Sequence, residues 1–148
     1  MGEKDLFIYD TNEKLIPKAL VKFKYTVAQE NDILMSFKLT VGKISIAGTN
    51  LITNEAIATF KPKKEYLRWY LYCYLNSRDF NNAGSTSSIA TAINSTILKK
   101  YKFPIPTEEQ LISFNFIVSN YINKIKDLIL KNIKLNETKN KLLSKFFR

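Results

Sequence analysis

Residues 103–110 read Phe103-Pro104-Ile105-Pro106-Thr107-Glu108-Glu109-Gln110. Each proline biases the residue before it toward extended backbone, so Phe103 and Ile105 belong to a strand-like approach. Thr107 then offers a side chain that accepts from the amides of a first helical turn. Gln110, three residues on, can return the bond and complete a capping box. Glu108 and Glu109 add negative charge at the positive end of the helix dipole. A helix therefore begins here, and the pattern beyond it is a heptad. Its a positions are Leu111, Val118, Ile125, Asn132, Lys139 and Phe146; its d positions are Phe114, Tyr121, Leu128, Leu135 and Leu142. Ile122, Ile129 and Leu143 widen the stripe on the e side. A helix of about 40 residues is roughly 60 Å long, more than a small domain is wide, so part of it must find another helix. The helix–helix interface is expected at Leu111, Phe114, Val118, Tyr121, Ile125, Leu128, Asn132, Leu135 and Leu142. Asn132 and Lys139 are polar a positions, which cost stability and can fix register and partner.

Upstream the periodicity changes from helical to alternating. A short strand is expected at Leu6-Phe7-Ile8-Tyr9. Val21, Phe23, Tyr25 and Val27 alternate with Lys22, Lys24 and Thr26, the pattern of a half-buried strand with a basic outer face. Glu30-Asn31-Asp32 reads as a turn. Further strands are expected at 33–37, 43–47 and 51–60, separated by loops carrying Gly42 and Gly48. Beyond Pro62, Leu67, Tyr70, Leu71, Tyr74 and Leu75 recur at helical spacing across 65–80. A loop at 81–87 and an amphipathic segment at about 88–98 follow. The fold class is α+β: a small, mostly antiparallel sheet with short helices, then a long C-terminal coiled-coil helix. Two parts are expected, a compact head at 1–106 and the helix at 107–148.

The chain has 148 residues, a net charge of +10 and a 45% hydrophobic share. That is one folded domain's worth of chain and core material. Fifteen basic residues against nine acidic fall in the head. The balance points to a polyanion, nucleic acid before membrane, although lysine-rich usage in AT-rich genomes produces the same balance. A single cysteine, Cys73, cannot form an intrachain disulfide, and a cytoplasmic location is expected. No apolar run approaches the length that spans a bilayer, so no membrane partner is expected.

Catalytic chemistry finds little to build on. The chain has no histidine, and its glycines at 2, 42, 48 and 84 form neither a dinucleotide fingerprint nor a phosphate loop. One cysteine cannot build a zinc site. Glu108-Glu109 is explained by the helix end it occupies. No cofactor is expected, and the reading is a binding module rather than an enzyme. Trp69 and the tyrosines at 66, 70, 72 and 74 could stack on bases; helix core is the simpler reading.

Six short stretches, in order, carry a resemblance. They are Glu30-Asn31-Asp32-Ile33-Leu34-Met35-Ser36, Val41-Gly42-Lys43, Asn50-Leu51-Ile52-Thr53-Asn54-Glu55-Ala56-Ile57, the segment from Tyr66-Leu67 to Asn76-Ser77, Gly84-Ser85-Thr86, and the proline-rich entry to the helix. Together, over 25–147, they resemble the C-terminal half of a type I restriction–modification specificity subunit, its target-recognition domain and conserved helix. Family members usually carry two of each, and this chain has one. The short helix and strand that usually open the recognition domain are expected to be missing.

The resemblance implies double-stranded DNA as ligand and a non-catalytic role. It implies a partner methyltransferase (modification) subunit, and translocating restriction subunits that join it. It also implies that the helix packs on that of a second specificity half, or on a second copy of the chain. DNA contacts are then expected from lysines that neutralise phosphates and small polar side chains that reach bases. The candidates are Lys38, Thr40 and Lys43 in one loop, Thr49 and Asn50 in the next, Ser85, Thr86 and Ser87 in a third, and Lys22 and Lys24 on a strand face. Each is equally readable as an ordinary solvated residue. Two other readings stay open: a coiled-coil adaptor whose basic head is incidental, and an RNA or single-strand binder.

Overall fold

The computed structural model describes residues 6–16, 18–19, 26–38, 40–80 and 95–147. The head is layered. Its centre is a four-stranded sheet in the order β1 (Phe7–Ile8), β4 (Ile44–Ala47), β3 (Ile33–Ser36), β6 (Ile57–Phe60). β1 runs parallel to β4, and the other pairs are antiparallel, so the sheet is mixed. A two-stranded antiparallel ribbon, β2 (Thr26–Ala28) with β5 (Leu51–Thr53), packs on one face. Helices α1 (Arg68–Asn76), α2 (Ser95–Lys100) and α3 (Glu108–Phe146) lie on the other side, with a 3-10 turn at Glu65–Leu67 leading into α1.

This layering explains why β3 and β4 are buried at every position. A strand covered on both faces has no polar side to show. Toward the helices, Ile33, Met35, Phe37 and Ile44 pack with Leu75 and Phe80, and Phe7 and Ile46 pack with Trp69 and Ile122. Toward the ribbon, Leu34 and Ala47 pack with Ala28.

Three expectations change. The alternation over 21–27 puts Val27 inside, but residues 21–25 lie outside the described part, and Val27 is 38% exposed while Ala28 is fully buried. A one-residue change of register exchanges the two faces of a strand, and the inner position here faces Leu34 and Ala47, where a small side chain fits. The single strand read over 51–60 is two strands. Asn54 ends β5 by accepting the amide of Ala56 through its side chain (3.0 Å) and that of Ile57 through its carbonyl (3.3 Å), an Asx turn that sends the chain from the ribbon into the main sheet. The helix read over 65–80 ends at Asn76, and Phe80 is buried as part of a loop.

The capping box is present. The Gln110 amide donates to the Thr107 hydroxyl at 3.4 Å, and the Thr107 amide donates to the Gln110 side chain at 3.1 Å. Ahead of it, the Tyr70 hydroxyl donates to the Pro104 carbonyl at 2.6 Å and ties the extended approach to α1. α3 then runs unbroken for 39 residues. Its first half lies on the head, with Leu111 and Ile122 buried and Phe114, Val118 and Ile129 packed against the same core. From Leu130 to Phe147 every residue is exposed.

The two halves of α3 should answer differently to truncation. In dilute solution, Leu111→Ala should lower folding stability by about 3 kcal/mol, through lost burial and a residual cavity. Leu135→Ala should change it by no more than about 0.5 kcal/mol. Urea midpoints of the two variants check this.

Candidate nucleic-acid interface and helix seam

The turn between β3 and β4 is built by Ser36. Its carbonyl accepts the Gly42 amide at 2.9 Å, its hydroxyl donates to the Thr40 carbonyl, and the same oxygen accepts the Lys43 amide at 3.2 Å. The Thr40 amide donates to the Lys38 carbonyl at 2.7 Å. Gly42 has φ +84°, where side chains are strained, and a Cβ there would stand 3.3 Å from the Cβ of Phe80. The turn is thus both internally bonded and seated on a buried ring. It holds Lys38 and Thr40 exposed and Lys43 half-buried.

Other cations flank in sequence the rings on which this turn sits. Phe80 packs against Tyr101, with ring centroids 5.8 Å apart. Next to these rings in sequence are Arg78 at one side and Lys99 and Lys100 at the end of α2, all exposed. Sequence reading gave these three no role. Their chain neighbours Phe80 and Tyr101 reach the turn through the Phe80–Gly42 and Phe80–Tyr101 contacts, which no local pattern announces.

Thr49 and Asn50 are exposed, but they stand at the other end of β4. Six residues of extended chain separate Lys43 from Thr49, about 20 Å. The Asn50 side-chain oxygen accepts the Glu30 amide at 3.1 Å, so its polar group braces the β2–β3 turn. Acidic residues gather there: Asp32 accepts the Gln29 amide at 2.8 Å, and Glu30 meets Lys126 of α3 at 2.7 Å. That bond to Glu30 raises the Lys126 ammonium above its ordinary value. The two candidate loops therefore do not form one patch. Lys22, Lys24, Ser85, Thr86 and Ser87 lie outside the described residues.

Two stripes divide α3. Leu111, Phe114 and Val118, expected in the helix–helix seam, are taken up by the chain's own head together with Ile122 and Ile129. The head supplies Trp69, Phe7 and Ile46 to this contact, so no second helix is needed there. The rest of the expected seam is exposed. Tyr121 (69% exposed), Ile125 (39%), Leu128 (48%), Leu135 (66%) and Leu142 (52%) form an outward row with Asn132. At 3.6 residues per turn this row lies about a quarter turn from the head-facing stripe. It continues past the Glu30 end of the head, opposite the β3–β4 turn.

The aromatic residues of α1 serve the core. Trp69 is 8% exposed, and Tyr72 is half-buried against the same clusters. Burial pushes the Cys73 thiol above its ordinary value, the opposite of what a nucleophile needs. Among the described residues no helix is long and apolar enough to cross a membrane.

A family model described as the type I restriction modification DNA specificity domain matches residues 7–143 of the chain. A search of curated proteins finds no match.

A raised thiol pKa leaves less thiolate at pH 8. Cys73 in the folded chain should therefore alkylate with iodoacetamide more slowly than in the urea-unfolded chain. Mass spectrometry of timed samples checks this, and equal rates would show that burial does not control the thiol.

Proposed function

We propose, starting from the fact that this chain belongs to the family of type I restriction–modification DNA specificity domains, that it recognises double-stranded DNA sequence-specifically for a larger enzyme. The match covers the head and most of the long helix together, and that single observation carries the reading. The head reads one half of a bipartite target. The seam from Tyr121 through Ile125, Leu128, Asn132, Leu135 and Leu142 pairs with the helix of a second specificity half or a second copy. A methyltransferase subunit, with restriction subunits that join it, acts at the site so marked. The chain itself supplies recognition and no chemistry.

The geometry supports this division of labour. The bonded turn with Lys38, Thr40 and Lys43 stands at the end of the head away from the projecting helix. Ser36 bonds Thr40 and Lys43, which limits the freedom these two lose on binding. Its lysines suit phosphates, which set register, and Thr40 is the candidate for a base edge. The single-strand alternative would need open aromatic platforms, and Trp69 is spent in the core.

Two experiments test the reading. Duplex binding measured across salt concentrations should fall steeply with salt, and Lys43→Ala should weaken it and shallow the log–log slope by about one unit. Single strands should compete poorly with duplex. Separately, the chain should self-associate at high concentration, and Ile125→Asp with Leu128→Asp should abolish that association, because the seam would have to bury charge. Sedimentation equilibrium reads the mass, and an unchanged mass in the double variant would exclude the seam.

A further inference from the structure

The exposed row of α3 has flanks as well as a seam, and the flanks are one-sided in charge. In the heptad register the g positions beside the row are Lys124, Lys131, Thr138 and Lys145. The e positions are Ile122, Ile129, Asn136 and Leu143, so neither flank carries an acid. Asp127 and Glu137 fall at c and f, away from the seam. Lys124, Lys131 and Lys145 are exposed, and among the described residues none of them makes an ion pair. Lys139, an a position, stands in the wall of an open groove with Leu135, Leu142 and Phe146. Over 130–147 the helix has five lysines and one glutamate.

Charged pairs at e and g set which helix a seam accepts and which way it runs. A second copy offers these lysines no counter-charge. Antiparallel pairing sets g against g, so lysine meets lysine or threonine. Parallel pairing sets g against e, where the copy has Ile, Asn and Leu, and it brings the two Lys139 side chains into one layer. Like charges across an interface weigh against a partner, and an ammonium covered without a counter-charge is costly to desolvate. A helix with carboxylates along its flank, and one within reach of Lys139, meets each of these demands.

We infer that the seam selects an acidic amphipathic helix of a different polypeptide over a second copy of this chain, its carboxylates pairing with Lys124, Lys131, Lys139 and Lys145. This rests on the seam proposed above and chooses between the partners it admits. Pairing of two copies is the weaker state, reached at high concentration.

The test titrates the full-length chain with two synthetic four-heptad peptides that share Ile at a and Leu at d. One has Glu at every e and g position, the other Lys. At moderate salt the Glu peptide should bind at least about tenfold more tightly, the sum of a few exposed ion pairs. The gap should close near 1 M salt, where screening acts within about 3 Å. Lys124→Glu, Lys131→Glu and Lys145→Glu together should reverse the preference. Leu135→Ala with Leu142→Ala should weaken both peptides, because these side chains line the groove. Self-association of the chain alone should tighten as salt is added, since salt screens its repulsion. Equal binding of the two peptides at moderate salt would overturn the inference. So would a triple variant that still prefers the Glu peptide, which would put the attraction elsewhere, or self-association that weakens with salt. Each of these leaves the seam standing. A chain that binds neither peptide and stays monomeric at every concentration would remove the seam itself. All three lysines are exposed, so thermal unfolding of the triple variant at low concentration should match wild type.

Discussion

The contact on which the molecule depends is the one between the first half of α3 and the head. Ile122 enters a pocket of Trp69, Phe7 and Ile46, so one residue of the long helix joins a residue of α1 and one from each of the parallel strands β1 and β4. Leu111, Phe114 and Val118 extend the contact toward the cap, and Ile129 extends it toward the free end. Lys126 closes its far side by bonding Glu30 and lying 5.9 Å from the Phe7 ring centroid. Apolar burial of this kind is the main favourable term in docking a helix. Its result is directional: head and helix are locked in one orientation, and the rest of the helix is carried clear.

From that lock the polarity of the molecule follows. The helix starts at Thr107, close to α1 through the Tyr70–Pro104 bond, and passes the β1–β4 pair toward the Glu30 turn. The Glu30 turn, whose carboxylates pair with Lys126 and Lys61, and its Asn50 brace lie where the free helix departs. The Ser36-built turn, seated on Phe80, lies at the other end. In the proposed function, this separation leaves the Ser36-built turn to DNA and the exposed half of the helix to a protein partner, without either obstructing the other.

Much of this was legible in the sequence, and what was not has identifiable causes. The capping box was readable because its two bonds join residues three apart. The heptads were readable as a helix, but not as two faces. Leu111 and Val118 satisfy both a 3.5-residue seam and a head-facing stripe, and the two periods separate only over several turns. Their true partners, Phe7, Ile46 and Trp69, are distant in sequence. In the sheet, β3 and β4 were placed well because runs buried on both faces are apolar throughout. Val27 and Ala28 exchange places because the alternation over 21–27 cannot show that a small side chain must face Leu34 and Ala47. Lys38, Thr40 and Lys43 were found as neighbours in one turn. Thr49 and Asn50 were grouped with them because a strand's length hides in a one-dimensional count.

Native-state hydrogen exchange along α3 tests the account most directly, because it reads the locked and free halves in one experiment. At low protein concentration, amides of 115–129 should exchange only through global unfolding, while those of 131–146 exchange quickly. Raising the concentration should protect the second group selectively. Slow exchange of 131–146 at every concentration would mean that the tail folds onto its own head. Fast exchange of 115–129 would mean that the head never held the helix. Either result would contradict the account.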